Sequence, residues 1–169
     1  MSHPHPQPST APPRLRVDYV DDTTPEALLA QPDVLAVFGF GHDTPPIDDP
    51  RWLRVPLQPH GAAPLEVWRA QAPVTHGREG EIAWACDGQL LFGAIEVDEP
   101  AGHSGAGDHS GILMAAEHAY RALTRFIEGS DYPHLLRIWN YLDAITLGDG
   151  DAERYRQFCV GRARGLGTL

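Results

Sequence analysis

Arg154, Arg156, Arg162 and Arg164 crowd into one short stretch near the end of the chain. Around them Ala152, Tyr155, Phe158, Cys159, Ala163 and Leu166 recur at helical spacing, which predicts a helix from about Ala152 to Ala163 with one face toward a core. At about 100° per residue, Arg162 lies only about 20° around the axis from Tyr155, so it points along that apolar stripe. Arg154 and Arg156 flank the stripe and can reach water. A guanidinium on an inward face needs a counter-anion, because an unpaired buried charge costs several kcal/mol. Two sources are open. One is an internal carboxylate, Asp143 or Glu153; the other is the carboxylate of a bound substrate, gripped by the two-pronged guanidinium.

Other chemistries find less support. All 13 basic residues are arginine, so a Schiff-base lysine and a P-loop are both excluded for this chain. Three groups of metal-ligating types occur: His3 and His5; Asp43, Asp48 and Asp49; His103, Asp108 and His109. None has the spacing of a calcium or zinc site, and no metal or other cofactor is expected. The glycine-rich stretch 100–110 precedes a helical pattern but carries no dinucleotide or phosphate-loop signature. Cys86 and Cys159 lie far apart in apolar contexts and read as reduced, buried thiols.

The elements that must position these groups follow from periodicity and punctuation. Residues 1–13 are rich in Pro, His and Ser and are expected to form a disordered tail, leaving 14–169 as one domain. Strands are predicted over 14–20, 34–40, 52–57 and 65–70, with a short helix after Thr24-Pro25 and loops over 42–50 and 72–80. Asp87-Gly88 predicts a type I′ hairpin between strands 82–85 and 89–97. Asp108 or Ser110 should cap the longest helix, which runs to Glu128 with Ile112, Ala116, Ala119, Leu123 and Phe126 or Ile127 inward; Gly129 ends it. His134 to Ile145 alternates like a strand buried on both faces, and Asp149 or Asp151 should cap the last helix. The order gives an α+β fold, mostly antiparallel sheet with two main helices packed on one face.

Bulk charge narrows the partners. The net charge of -10 argues against nucleic acid and against an anionic membrane, and no stretch has the length of a membrane span. Residues 1–111 hold 16 acidic and 6 basic side chains, whereas 112–169 hold 7 of each, so an anionic substrate approaches the second part more easily. With no apolar leader segment, a cytoplasmic location is expected.

Arg137 to Tyr141 (RIWNY), the Gly/Asp turn after it, and Glu153 to Leu166 (ERYRQFCVGRARGL) closely resemble the chorismatase family. Gly80 to Glu99 resembles it more loosely. The family cleaves chorismate to a hydroxybenzoate or dihydroxybenzoate and pyruvate, and the nearest likeness is to the bacterial enzymes making 3-hydroxybenzoate and 4-hydroxybenzoate. The resemblance implies a module similar to the trimeric imine deaminases and chorismate mutases. It also implies a second module beyond Leu169, so the chain is expected to be the amino-terminal half of a two-module enzyme. Chorismate carries two carboxylates and an enol ether, so its site needs rigid arginines and a proton donor. Arg162 and Tyr155 are the first candidates to bind it, followed by Arg154 and Asn140; Tyr155 could instead be core packing, and Asn140 could simply serve backbone groups. The principal catalytic carboxylate is expected in the second module, so no catalytic residue is assigned here. Two other readings stay open: a free-standing imine-deaminase-like homotrimer, and a non-catalytic oligomerisation module. Exposure of the surface meant for the second module should leave an apolar patch and make the isolated chain a homo-oligomer, of trimer type.

Overall fold

The computed structural model describes residues 13–62, 64–100, 110–132 and 134–167. Its elements, in chain order, are β1 (Arg16–Val20), α1 (Pro25–Leu29), β2 (Val34–Phe40), β3 (Trp52–Val55), β4 (Leu65–Arg69), β5 (Thr75–Glu79), β6 (Ile82–Cys86), β7 (Leu91–Ala94), α2 (Gly111–Glu128), a single 3-10 turn (Gly150–Ala152) and α3 (Arg154–Leu166). The fold is α+β with mostly antiparallel pairing. Among the described residues the strands divide between two sheets, of order β1-β4-β2-β3 and β5-β6-β7, in which only β2 and β3 run parallel.

The apolar run Val34–Phe40 forms the centre of the larger sheet, and its first six residues are buried. One face presents Val34, Val37, Trp52 and Val67 to Leu28 and Leu29 of α1. That short helix starts as its sequence predicts, with the Thr24 hydroxyl accepting from the Ala27 N–H and Pro25 in the first turn. The other face carries Leu35, Phe38, Val55 and Trp68 against Ala85 and Phe92 of the smaller sheet and Leu90 of the loop before β7. Gly39 is required where β2 meets β3: a Cβ there would collide with the Trp52 indole.

Three strand expectations change. Residues 72–80, expected to be a loop, contain β5, which is polar and mostly exposed and is a strand because it pairs along its whole length with β6. The turn between them has only Gly80 and Glu81, with Gly80 at φ 58°, the glycine-first pattern of a tight hairpin. The β6–β7 hairpin forms, but not through a type I′ turn. Asp87 keeps a negative φ and its Oδ1 accepts from the N–H of Gln89 (2.9 Å) and Leu90 (2.8 Å), so a side chain organises a four-residue loop.

The third change matters most for function. His134 to Ile145 is not a strand. Residues 134–142 run without turn or bend, yet among the described residues none of their backbone groups hydrogen-bonds to another backbone group. The alternation itself is real. Ile138 and Leu142 pack on the α2–α3 side, whereas Trp139 and Tyr141 turn toward the larger sheet, with Trp139 edge-on to Trp68 at 4.7 Å and Tyr141 6.1 Å from Phe38 and Phe40. A strand needs a neighbour as well as a pattern, and among the described residues this segment has none.

The helix α2 spans the predicted range, with Phe126 over Gly93 of β7 and Ile112, Ala116 and Tyr120 toward α3. Ser110 stands at its N-cap but its side chain makes no capping bond; Asp108, like the His103 and His109 considered with it, lies outside the described residues. Neither Asp149 nor Asp151 caps α3 through its side chain: the helix begins two residues later than predicted, after Glu153. Its buried line is also different. Gln157, Phe158, Gly161 and Gly165 face inward, while Tyr155 and Ala163 are exposed. The glycines explain the rotation. A Cβ at Gly161 would collide with the Leu113 carbonyl, and one at Gly165 would lie 2.6 Å from the Glu117 carbonyl oxygen, so α3 rests directly on the backbone of α2.

Candidate functional site

Phe158 is the hub on which the candidate side chains meet. It is buried between the helices, with the Tyr120 ring edge-on at 6.2 Å and the Tyr155 ring stacked at 6.4 Å. The Arg162 guanidinium sits 5.9 Å from its centroid, within cation–π range. The Tyr120 hydroxyl in turn donates to Oδ1 of Asn140 at 2.8 Å. Asn140, Tyr155 and Arg162 are thus gathered around one aromatic pair, Tyr120 and Phe158, although Asn140 and Arg162 are 22 residues apart.

The internal partners weighed for Arg162 are both engaged elsewhere. Asp143 Oδ1 accepts from Arg154 at 3.0 Å, and Glu153 pairs with Arg156 at 3.5 Å. Among the described residues no carboxylate lies within ion-pair distance of Arg162, which is half-buried on the ring.

Arg154 is placed differently. Its Nη1 and Nη2 grip the Glu99 carboxylate at 3.0 and 2.5 Å, and Nη2 also reaches Asp143, while its buried Nε has no partner. The hydrogen bond it donates to Glu99, working against partial burial, raises its pKa above the usual arginine value. With two carboxylates on one guanidinium, this spot is net negative and repels a further anion. Arg154 instead ties the end of the smaller sheet and the 143–147 turn to the first turn of α3. The Tyr155 N–H donates to the Ile145 carbonyl and the Arg154 N–H to that of Leu147, which fixes the same junction. Ala144 within it takes a left-handed φ of 42°, a strained position for a residue with a Cβ.

A separate concavity of about 500 Å³ lies between α2 and the segment after β7, lined by Glu81, Glu96, Asp98, Met114 and His118. Its carboxylates make it unsuitable for a dicarboxylate. His118 contacts Glu81 at 2.6 Å there.

Sequence reasoning missed two anchoring features. Tyr120 holds Asn140, and its position on the Ile112–Ala116 stripe was the available signal. Arg51, buried and paired with Asp49 at 2.8 Å, also donates to the Leu29 carbonyl at 2.6 Å and so locks α1 to the larger sheet. Asp49, one of the calcium candidates, is committed to that pair.

Residues 66–169 match the family model described as Chorismatase FkbO/Hyg5-like, N-terminal. The chain belongs to the chorismatase family. Chorismatases from Streptomyces hygroscopicus and Streptomyces rapamycinicus are 39% and 36% identical to it over 102 residues, 60% of this chain and 27% and 28% of theirs. A 3-hydroxybenzoate synthase of Streptomyces hygroscopicus is 32% identical over 99 residues, 58% of this chain and 26% of that protein. A chorismatase crystal structure superposes with a TM-score of 0.69 at 29% identity, over 90% of this chain and 44% of that one. The chain therefore spans less than half the length of the solved chorismatase. Every residue of the Tyr120–Phe158 cluster, the candidates included, falls within the matched segment.

Proposed function

We propose that this chain is the amino-terminal part of a chorismatase that cleaves chorismate to pyruvate and 3-hydroxybenzoate, 4-hydroxybenzoate or both, and that Arg162 holds one substrate carboxylate. The observation that carries this reading is a half-buried guanidinium, laid on Phe158, with no carboxylate partner among the described residues. Tyr155 is stacked on the same ring and 49% exposed, and Asn140 presents an amide held by Tyr120. Arg154 positions the helix end that carries Tyr155 rather than touching substrate. The reaction needs a proton delivered to the enol ether, and the donor comes from the carboxy-terminal part.

Pyruvate release from chorismate tests the reading, using the chain alone and the chain continued by the carboxy-terminal part of the Streptomyces hygroscopicus chorismatase. Turnover is expected only in the joined protein. There Arg162→Ala should lower kcat/KM about 100-fold, the loss of one charge-assisted anchor, while Arg164→Ala stays within about twofold. Equal losses at the two positions would overturn the assignment of Arg162, and imine hydrolysis by the chain alone would favour the free-standing deaminase reading.

A further inference from the structure

The segment 134–142 touches the helices on one side and the larger sheet on the other, and most of its residues stay exposed. One row of its side chains packs on the helices through Ile138 and Leu142, and the opposite row packs on the larger sheet through Trp139 and Tyr141. Between those rows lies the plane in which a strand makes its hydrogen bonds, and none of its backbone groups finds a backbone partner among the described residues. Apolar side chains remain exposed along it: Leu135 at 50%, Leu136 at 79% and Trp139 at 43%. A helix or a small ligand would cover the side chains and leave the backbone unpaired. Only another strand satisfies both.

We infer that residues 134–142 are a docking edge for a β-strand supplied by the carboxy-terminal part of the enzyme. This rests on the reading of the chain as an amino-terminal part. The choice of occupant follows from two observations: the matched family region is the N-terminal one, and the solved chorismatase extends well beyond what this chain covers. Docking there would bring the new strand alongside Asn140 and the helix bearing Tyr155 and Arg162. The candidate site would then be closed by the partner that is expected to donate the proton.

Amide hydrogen exchange tests the inference. In the chain alone, amides 135–142 should exchange as fast as those of an exposed loop; in the chain joined to the carboxy-terminal part of the Streptomyces hygroscopicus chorismatase they should slow at least about 100-fold. The aligned amides of the intact Streptomyces hygroscopicus chorismatase should be equally slow, which keeps the test decisive if the joined protein folds poorly. Leu136→Pro removes one N–H from the proposed ladder at an exposed position. It should leave the melting temperature of the chain alone unchanged and restore fast exchange across 135–142 in the joined protein. Fast exchange in the intact relative, slow exchange in the monomeric chain alone, or protection that appears only with dimerisation of the chain would each overturn the docking edge. Slow exchange without chorismate turnover would leave the edge standing and sink the functional reading; turnover with fast exchange would do the reverse.

Discussion

At the scale of single residues, two arginines show how context decides what a guanidinium does. Arg154 and Arg162 sit on one helix, but Arg154 meets Glu99 and Asp143, whereas among the described residues Arg162 meets a ring and no carboxylate. The sequence places both on the helix; it cannot say that Glu99, 55 positions before Arg154, comes back to neutralise it. Arg51 makes the same point inside the core. Burial pushes the Asp49 carboxyl up, but the Arg51 side chain and backbone N–H outweigh it and hold the carboxyl below its ordinary value. A carboxyl depressed on folding stabilises the protein above the unfolded pKa of about 3.9, and that contribution is lost as pH falls through the folded value. Asp49→Asn should therefore destabilise at pH 7 by about 2–3 kcal/mol, somewhat less than a fully enclosed pair because Asp49 is 18% exposed. In urea titrations the variant should also lose less stability than the parent on acidification below about pH 4; an equal loss would show that Asp49 is not the titrating group.

At the scale of elements, what the sequence displays is side-chain pattern, and what it hides is who sits next door. The alternation of 134–142 is plain in the sequence and real in space, yet it makes no ladder. The reverse holds for β5, whose THGRE sequence has no strand signal and which forms because β6 offers an edge. For α3, counting apolar residues selects Tyr155 and Ala163, but contact follows the small ones. Gly161 and Gly165, four apart, were legible as a close-packing pair and outrank the larger side chains because only they admit the α2 backbone. Gly161→Ala should then overpack the interface, at about 2–3 kcal/mol. Differential scanning calorimetry should show the melting temperature about 4–10 °C lower. Exposed Ala163→Gly should lose only the roughly 1 kcal/mol of helix propensity. If the two variants melt together, the glycines are not what sets the approach of the helices.

At the scale of the whole molecule, the fold class and the family were readable because both rest on local features: element order, and the motifs at 137–141 and 153–166. The division into two sheets was not readable, since it depends on which strand edges meet. The site is intermediate. Its helix-borne members were identifiable, but the aromatic pair that gathers them with Asn140 depends on the seating of α2 against α3. Leu135, Leu136 and Leu147 are exposed, and exposed apolar side chains grouped in a patch promote self-association in the absence of a partner. In sedimentation velocity the chain should show weak, concentration-dependent association that Leu136→Asp diminishes, with the melting temperature moved by no more than about 1 °C. A sharply defined monomer at high concentration for both proteins would refute that role.

The contact between Trp139 and Trp68 gives the chain an optical gauge of its own. Two indoles 4.7 Å apart and inclined at 79° couple their excited states, so circular dichroism in the region of the strong indole bands carries a term set by their mutual orientation. One chromophore belongs to a firmly paired strand and the other to the unpaired segment. Spectroscopy without any added label can therefore follow the moment that segment settles.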